Sequence, residues 1–207
     1  MIESTDLLVF IAALVAIYLL PGPDMALILS VSAFGGRRSG LMAAVGLALS
    51  RAFHVTLTAL GLAALLNTHP LLFDAVRWIG AIYLCWLAWK LLQATDHTPK
   101  DAQSIEQAGW RALQKGFLTN LLNPKALMFC ALLLPQFISP AGNLFKQYLV
   151  LGTILVAAGT VFDVFYVLAS SSIARRFSGS RTGKKLARIV FASIFTLAAV
   201  RLMVSSR

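Results

Sequence analysis

Charge is what this sequence has least of. Only 13% of its 207 residues are Asp, Glu, Lys or Arg, and 58% are hydrophobic. A soluble domain carries about 25% charged residues, so this composition cannot cover a globule in water. Acidic residues are scarcer still, 8 against 18 Lys and Arg, for a net charge of +10. Cysteine is nearly missing: Cys85 and Cys130 each lie in an apolar segment without metal-ligand spacing, which fits small apolar packing and no zinc site. No nucleotide-binding loop, zinc motif or spaced nucleophile–base pair is present, so nothing points to ATP, to a metal or cofactor, or to an enzyme. The opening Met1-Ile-Glu-Ser-Thr-Asp6 has acids where a signal peptide has Lys or Arg, so the first apolar segment is expected to be retained.

What is present is length in apolar runs. A hydrocarbon core of ~30 Å needs roughly 20 apolar residues at 1.5 Å each. Spans are expected near residues 6–34, 40–66, 70–92, 113–138, 147–172 and 186–204. The fold class is thus all-α, an integral membrane domain of about six helices over residues 1–207. Its halves, about 1–92 and 113–207, are joined by a polar loop at 93–112. The basic residues sit between spans: Arg37 and Arg38 in the first loop, Lys100 and Arg111 in the third, Arg175 to Arg188 in the fifth. Lys and Arg in short loops mark the cytoplasmic side and meet anionic lipid. Loops near 35–39, 93–112 and 173–186 are expected there, with both termini outside. That distribution argues against a nucleic-acid partner, which needs a basic face on a soluble fold.

Two segments carry helix breakers. Residues 6–34 as one straight helix would run roughly 43 Å, and Pro21-Gly22-Pro23 lies near its middle. Proline lacks an N–H and clashes with the carbonyl four residues back, so Pro21 frees Ile17 and Pro23 frees Leu19. The fourth span breaks at Asn123-Pro124-Lys125, where Pro124 frees Asn120. Asn is a good N-cap and proline is favoured at the first helical position. Asp24 and Lys125 therefore take the same second position of two half-helices, with opposite charge. Arg77 and Lys90 bracket the third span, Arg188 and Arg201 the sixth, both pairs thirteen apart. Two three-helix halves related by inversion are predicted, an architecture that places substrate at broken helices near the midplane.

Ionisable residues within spans cost at least ~2.5 kcal/mol each on insertion scales, and here they are Asp24, Arg51, His54, Lys125 and Asp163. An α-amino acid presents an ammonium and a carboxylate. Asp24 is expected to face the first, Lys125 and the free N–H groups of its half-helix the second. The rival is a direct Asp24–Lys125 pair, which would close an empty site. Asp163 has two open roles, carrier of a coupling proton or static partner of Arg51. His54 is either a proton relay or a packing residue. Small residues at Gly36, Gly40, Ala44 and Ala48, and at Gly46 and Ser50, are read as close helix packing.

Pro21-Gly-Pro-Asp-Met-Ala-Leu-Ile-Leu-Ser30, Gly35-Gly-Arg-Arg-Ser-Gly40, Arg77-Trp-Ile-Gly-Ala-Ile-Tyr-Leu84 and Gly116-Phe-Leu-Thr-Asn-Leu-Leu-Asn-Pro-Lys125 with Leu134-Pro-Gln-Phe137 resemble the LysE/RhtB amino-acid exporter family over essentially the whole chain. The resemblance implies a secondary exporter in the bacterial inner membrane, driven by the proton-motive force. Its substrates would be amino acids or relatives such as homoserine, homoserine lactone, leucine or basic amino acids. It also implies that Pro21, Gly22, Pro23, Asn120, Asn123, Pro124 and Lys125 are site positions. Ser50 and Arg51 depart from the family pattern, where a glycine and then an acidic or small residue are common. Two other classes stand against the exporter: a membrane thiol–disulfide conduit using Cys85 and Cys130, and a non-transporting membrane partner. A homo-oligomer stays open.

Overall fold

The structure is a computed structural model and describes residues 4–61, 70–93, 102–139, 142–177 and 181–204. No strand occurs among the described residues. The helices are α1 (Ser4–Leu19), α2 (Pro23–Ala59), α3 (Pro70–Gln93), α4 (Ala102–Leu121), α5 (Pro124–Met128), α6 (Leu144–Phe177) and α7 (Arg181–Val204). α5 runs on into a π-helical turn at Phe129–Leu133 and a 3-10 turn at Leu134–Phe137.

Among the described residues, Pro23–Ala59, Leu71–Gln93 and Leu144–Ser170 are long and apolar enough to cross a bilayer. Glu106–Leu121 and Pro124–Phe137 add a fourth span if counted as one, bent by 56° at their break. The predicted interruption at Asn123-Pro124 is therefore a real change of direction. The other predicted break is equally visible, since α1 ends at Leu19 and α2 begins at Pro23.

α2 is bent as well. Gly36 has φ 78° and ψ 177° inside an otherwise helical run. Glycine tolerates this left-handed φ because it has no Cβ. Asp24 and Arg51 would stand roughly 40 Å apart on a straight helix, yet their side chains approach to 3.8 Å. The chain folds back at Gly36, and the inner side of the turn is tight: a Cβ on Gly40 would collide with Ser32 Oγ. The reversal falls inside the expected loop at 35–39, tightened to a turn that pivots on one glycine. The long outer arm buries Ala43, Ala44, Leu47, Ser50, Arg51, His54, Val55 and Thr58, a stripe of three- and four-residue steps. Its opposite stripe, Leu41, Val45, Leu49 and Phe53, is exposed and apolar. In water that face would be a liability; against hydrocarbon it is the right surface.

The outer arm crosses α4 at backbone contact. A Cβ on Gly46 would strike the Leu113 carbonyl, and one on Gly116 the Ala43 carbonyl. α2 also packs along α6, and α3 packs along α7. One apolar cluster joins Ala26 and Leu27 to Ala81, Leu84 and Phe195. Another joins Phe10 and Leu14 to Phe129, Leu151 and Leu155. α1 and α5 are thus held against α6, and the two breaks come side by side.

Two loop assignments are corrected. The polar stretch 93–112 is helical from Ala102 onward, because Ala, Gln, Glu and Arg favour helix and polarity alone does not make a loop. The stretch 173–186 is helical to Phe177 and again from Arg181, so α6 and α7 both outrun the apolar windows that located them. Residues 62–66 of the predicted second span, and 67–69, 94–101 and 178–180 of the predicted loops, lie outside the described residues.

Candidate functional site

At the first break α1 loses hydrogen bonds at its C-terminal end, because Pro21 offers no N–H to the Ile17 carbonyl. The donor comes from the other break. Lys125 Nζ donates to the Ile17 carbonyl at 2.7 Å and to the Leu20 carbonyl at 2.9 Å. A cation at a helix C-terminus is also favoured by the helix dipole. Gly22 is the extended N-cap of α2 with Pro23 at the first helical position, and a Cβ there would sit 3.6 Å from Lys125 Nζ.

The second break is capped from within. Asn123 Oδ1 accepts from the Lys125 backbone N–H at 3.1 Å, and the Asn120 carbonyl freed by Pro124 accepts from the Asn123 N–H at 3.0 Å. The side chains of both asparagines then turn to Asp24. Asn120 Nδ2 donates to Asp24 Oδ2 at 2.6 Å, and Asn123 Nδ2 to Oδ1 at 3.0 Å. Each half-helix thus sends its second residue across to the opposite break. Among the described residues no ion pair joins Asp24 to Lys125: the carboxylate is held by two amides and the ammonium by two carbonyls.

Beneath Asp24 lies Arg51, 3% exposed. Its NH1 donates to Asp163 Oδ2 at 2.6 Å and its NH2 to Asp163 Oδ1 at 3.2 Å. NH2 is also 3.8 Å from Asp24 Oδ2. The guanidinium therefore stands between two carboxylates, one from each half. Its other face lies 5.2 Å from the centre of the Tyr18 ring, within cation–π range. Gly159 makes room for it, since a Cβ there would sit 2.7 Å from Arg51 NH1 and 2.8 Å from the Tyr18 hydroxyl.

Tyr18 and Tyr166 are neighbours of these groups that the sequence did not single out. Tyr18 donates its hydroxyl to the Leu155 carbonyl at 2.9 Å, and Tyr166 donates to the Tyr18 carbonyl at 3.0 Å. The signal available for both was a phenol inside an apolar run, which needs a partner once buried.

These groups surround a cavity of about 60 Å³. Gly22, Asp24, Arg51, Asn120, Asn123, Lys125 and Asp163 all line it, and its remaining wall is mainly apolar and aromatic. Pro21, Pro23 and Pro124 shape the backbone around it. His54 is 1% exposed and lies outside the cavity wall, with its Nδ1 unpartnered. Cys130 lines the cavity and Cys85 faces outward; both thiols are free. No grouping of three or more His, Cys, Asp or Glu suited to a metal ion occurs among the described residues. What the arrangement offers is a polar, charge-balanced bed of fixed donors and acceptors where two helices start.

The sequence model of the family described as LysE type translocator matches residues 15–206. The chain is 32% identical over 181 residues to the homoserine/homoserine lactone efflux protein of Salmonella typhimurium, covering 86% of this chain and 85% of the relative. It is 33% identical over 185 residues to the leucine efflux protein of Klebsiella pneumoniae, covering 88% and 85%. An uncharacterized membrane protein of Vibrio cholerae is 33% identical over 170 residues, covering 81% and 82%. No solved structure matches the chain.

Proposed function

The chain belongs to the LysE type translocator family, and we propose that it is a secondary exporter of amino acids or close derivatives across the bacterial inner membrane, driven by the proton-motive force. Relatives named for efflux of homoserine, its lactone and leucine support the substrate class. The observation that carries the reading is the exchange across the breaks: Asp24 reaches Asn120 and Asn123, while Lys125 reaches Ile17 and Leu20.

In this account the substrate replaces internal partners. Its ammonium binds the Asp24 oxygens, which Asn120 and Asn123 hold in place. Its carboxylate draws Lys125 from the α1 carbonyls, because a full negative charge attracts the ammonium more strongly than a carbonyl dipole does. Releasing those carbonyls loosens α1 at the break, so occupancy and helix motion are linked. Broken helices at repeat interfaces serve alternating access in this way. Asp163 is the acceptor for a coupling proton: once protonated it frees Arg51, and the restraint between α2 and α6 relaxes. His54 relays protons toward this site. The turn around Gly36, with exposed Arg37 and Arg38, faces the cytoplasm, as do the connections after α3 and α6.

Overexpression in a bacterium challenged with toxic amino-acid analogues tests the reading. Resistance with extracellular accumulation of one compound, abolished by an uncoupler, is expected. Unchanged sensitivity to every analogue would contradict it.

A further inference from the structure

Two features of the cavity bear on which amino acids enter it. The formal charges on its wall are Asp24 and Asp163 against Arg51 and Lys125, a sum of zero. Neither acid is spare for a side-chain cation, because Asp24 takes the substrate's own ammonium. Asp163 holds Arg51 with both oxygens, and Asp24 holds Asn120 and Asn123 with Arg51 NH2 3.8 Å away. Beyond the charged bed the wall is mainly apolar and aromatic, with Phe129, Leu155, Phe162 and Met25 among its members, and the hydroxyls of Tyr18 and Tyr166 are already engaged with backbone carbonyls.

Resting on the exporter reading above, we propose that this site selects α-amino acids with uncharged, apolar side chains, and that Arg51 is the residue that excludes cationic ones. A zwitterion brings one ammonium and one carboxylate, so the sum stays zero. A lysine or arginine brings a further cation with no acid left to meet it. A buried charge without a partner is strongly disfavoured, and a guanidinium already in place adds like-charge repulsion. The side chain must lie against Phe129, Leu155 and Phe162, where an aliphatic group buries apolar surface and an ammonium has no acceptor. Asp163 keeps Arg51 in position, and Arg51 in turn occupies both Asp163 oxygens, so that acid cannot serve an incoming cation.

The test is competition in proteoliposomes preloaded with radiolabelled leucine, with external leucine or lysine driving exchange. For the wild-type protein, leucine is expected to outcompete lysine by a factor on the order of 100 or more. Arg51→Met leaves Asp163 open, so the lysine-to-leucine ratio should rise at least about tenfold. In Arg51→Met/Asp163→Leu the acid is gone too, and the ratio should fall back toward the wild-type value. Lysine exchanging as well as leucine in the wild type overturns the proposal, even if neither variant folds. A ratio that Arg51→Met leaves unmoved, or that stays high in the double variant, also overturns it. Failure to exchange any amino acid, with the protein folded, would instead defeat the exporter reading itself.

Discussion

Arg51 and Asp163, 112 positions apart, are joined by two hydrogen bonds of 2.6 and 3.2 Å that tie the outer arm of α2 to α6. Both residues are at most 3% exposed. Removing one member of a buried pair strands the other's charge.

Arg51→Met alone should therefore destabilise the protein by about 3–5 kcal/mol. Asp163→Leu added to it should recover much of that loss, because the stranded carboxylate is removed with its partner. Unfolding of the purified protein in detergent measures both. Strictly additive losses would show that the two side chains are not coupled.

Lys125 has a different position, donating to carbonyls that a proline left without donors. Lys125→Met should abolish export while the protein still inserts and folds. The lost hydrogen bonds from a charged donor cost on the order of 2 kcal/mol in stability. Lys125→Arg should keep partial export. Efflux of a labelled amino acid, beside the amount of folded protein in the membrane, checks the pair. Intact export in Lys125→Met would refute this assignment.

Asp24→Asn tests the other pole. The new amide keeps one acceptor oxygen for Asn120 or Asn123 but turns an NH2 toward the other asparagine and loses the anion, so a stability loss of about 1–3 kcal/mol is expected with folding retained. Substrate affinity should fall by at least tenfold, seen as a raised KM for efflux. An unchanged KM would mean that the ammonium binds elsewhere.

Features set by local chemistry were legible in the sequence. Pro21, Pro23 and Pro124 dictate breaks wherever they fall, and Asn123 with Pro124 spells an N-cap and first turn. The apolar runs located α3 and the core of α6. What escaped were consequences of the return path of the chain. The reversal at 35–39 was legible, but not its tightness: one glycine, Gly36, turns α2 back far enough to put Arg51 under Asp24. The partners of Asp24 and Lys125 were legible only as residue types, because each lies on a segment about a hundred positions away in the chain. The helical start of α4 escaped for another reason: its polar residues suit an amphipathic helix at the membrane edge as well as a loop.

The crossing itself yields a prediction. Gly46→Ala or Gly116→Ala drives a methyl group into a backbone carbonyl of the facing helix, and overpacking of this kind costs about 1–3 kcal/mol. Leu49→Val, on the exposed face of the same helix, should change stability by no more than about 0.5 kcal/mol. Thermal unfolding in detergent compares them. Equal effects at Gly46 and Leu49 would mean that α2 and α4 do not touch there.

The most direct measurement is an experimental structure of the protein saturated with a transported amino acid. The ammonium should lie within hydrogen-bonding distance of Asp24, and the carboxylate within reach of Lys125 Nζ, now withdrawn from the Ile17 and Leu20 carbonyls. An amino acid bound elsewhere, with Asp24 still on its asparagines and Lys125 still on α1, would contradict the account.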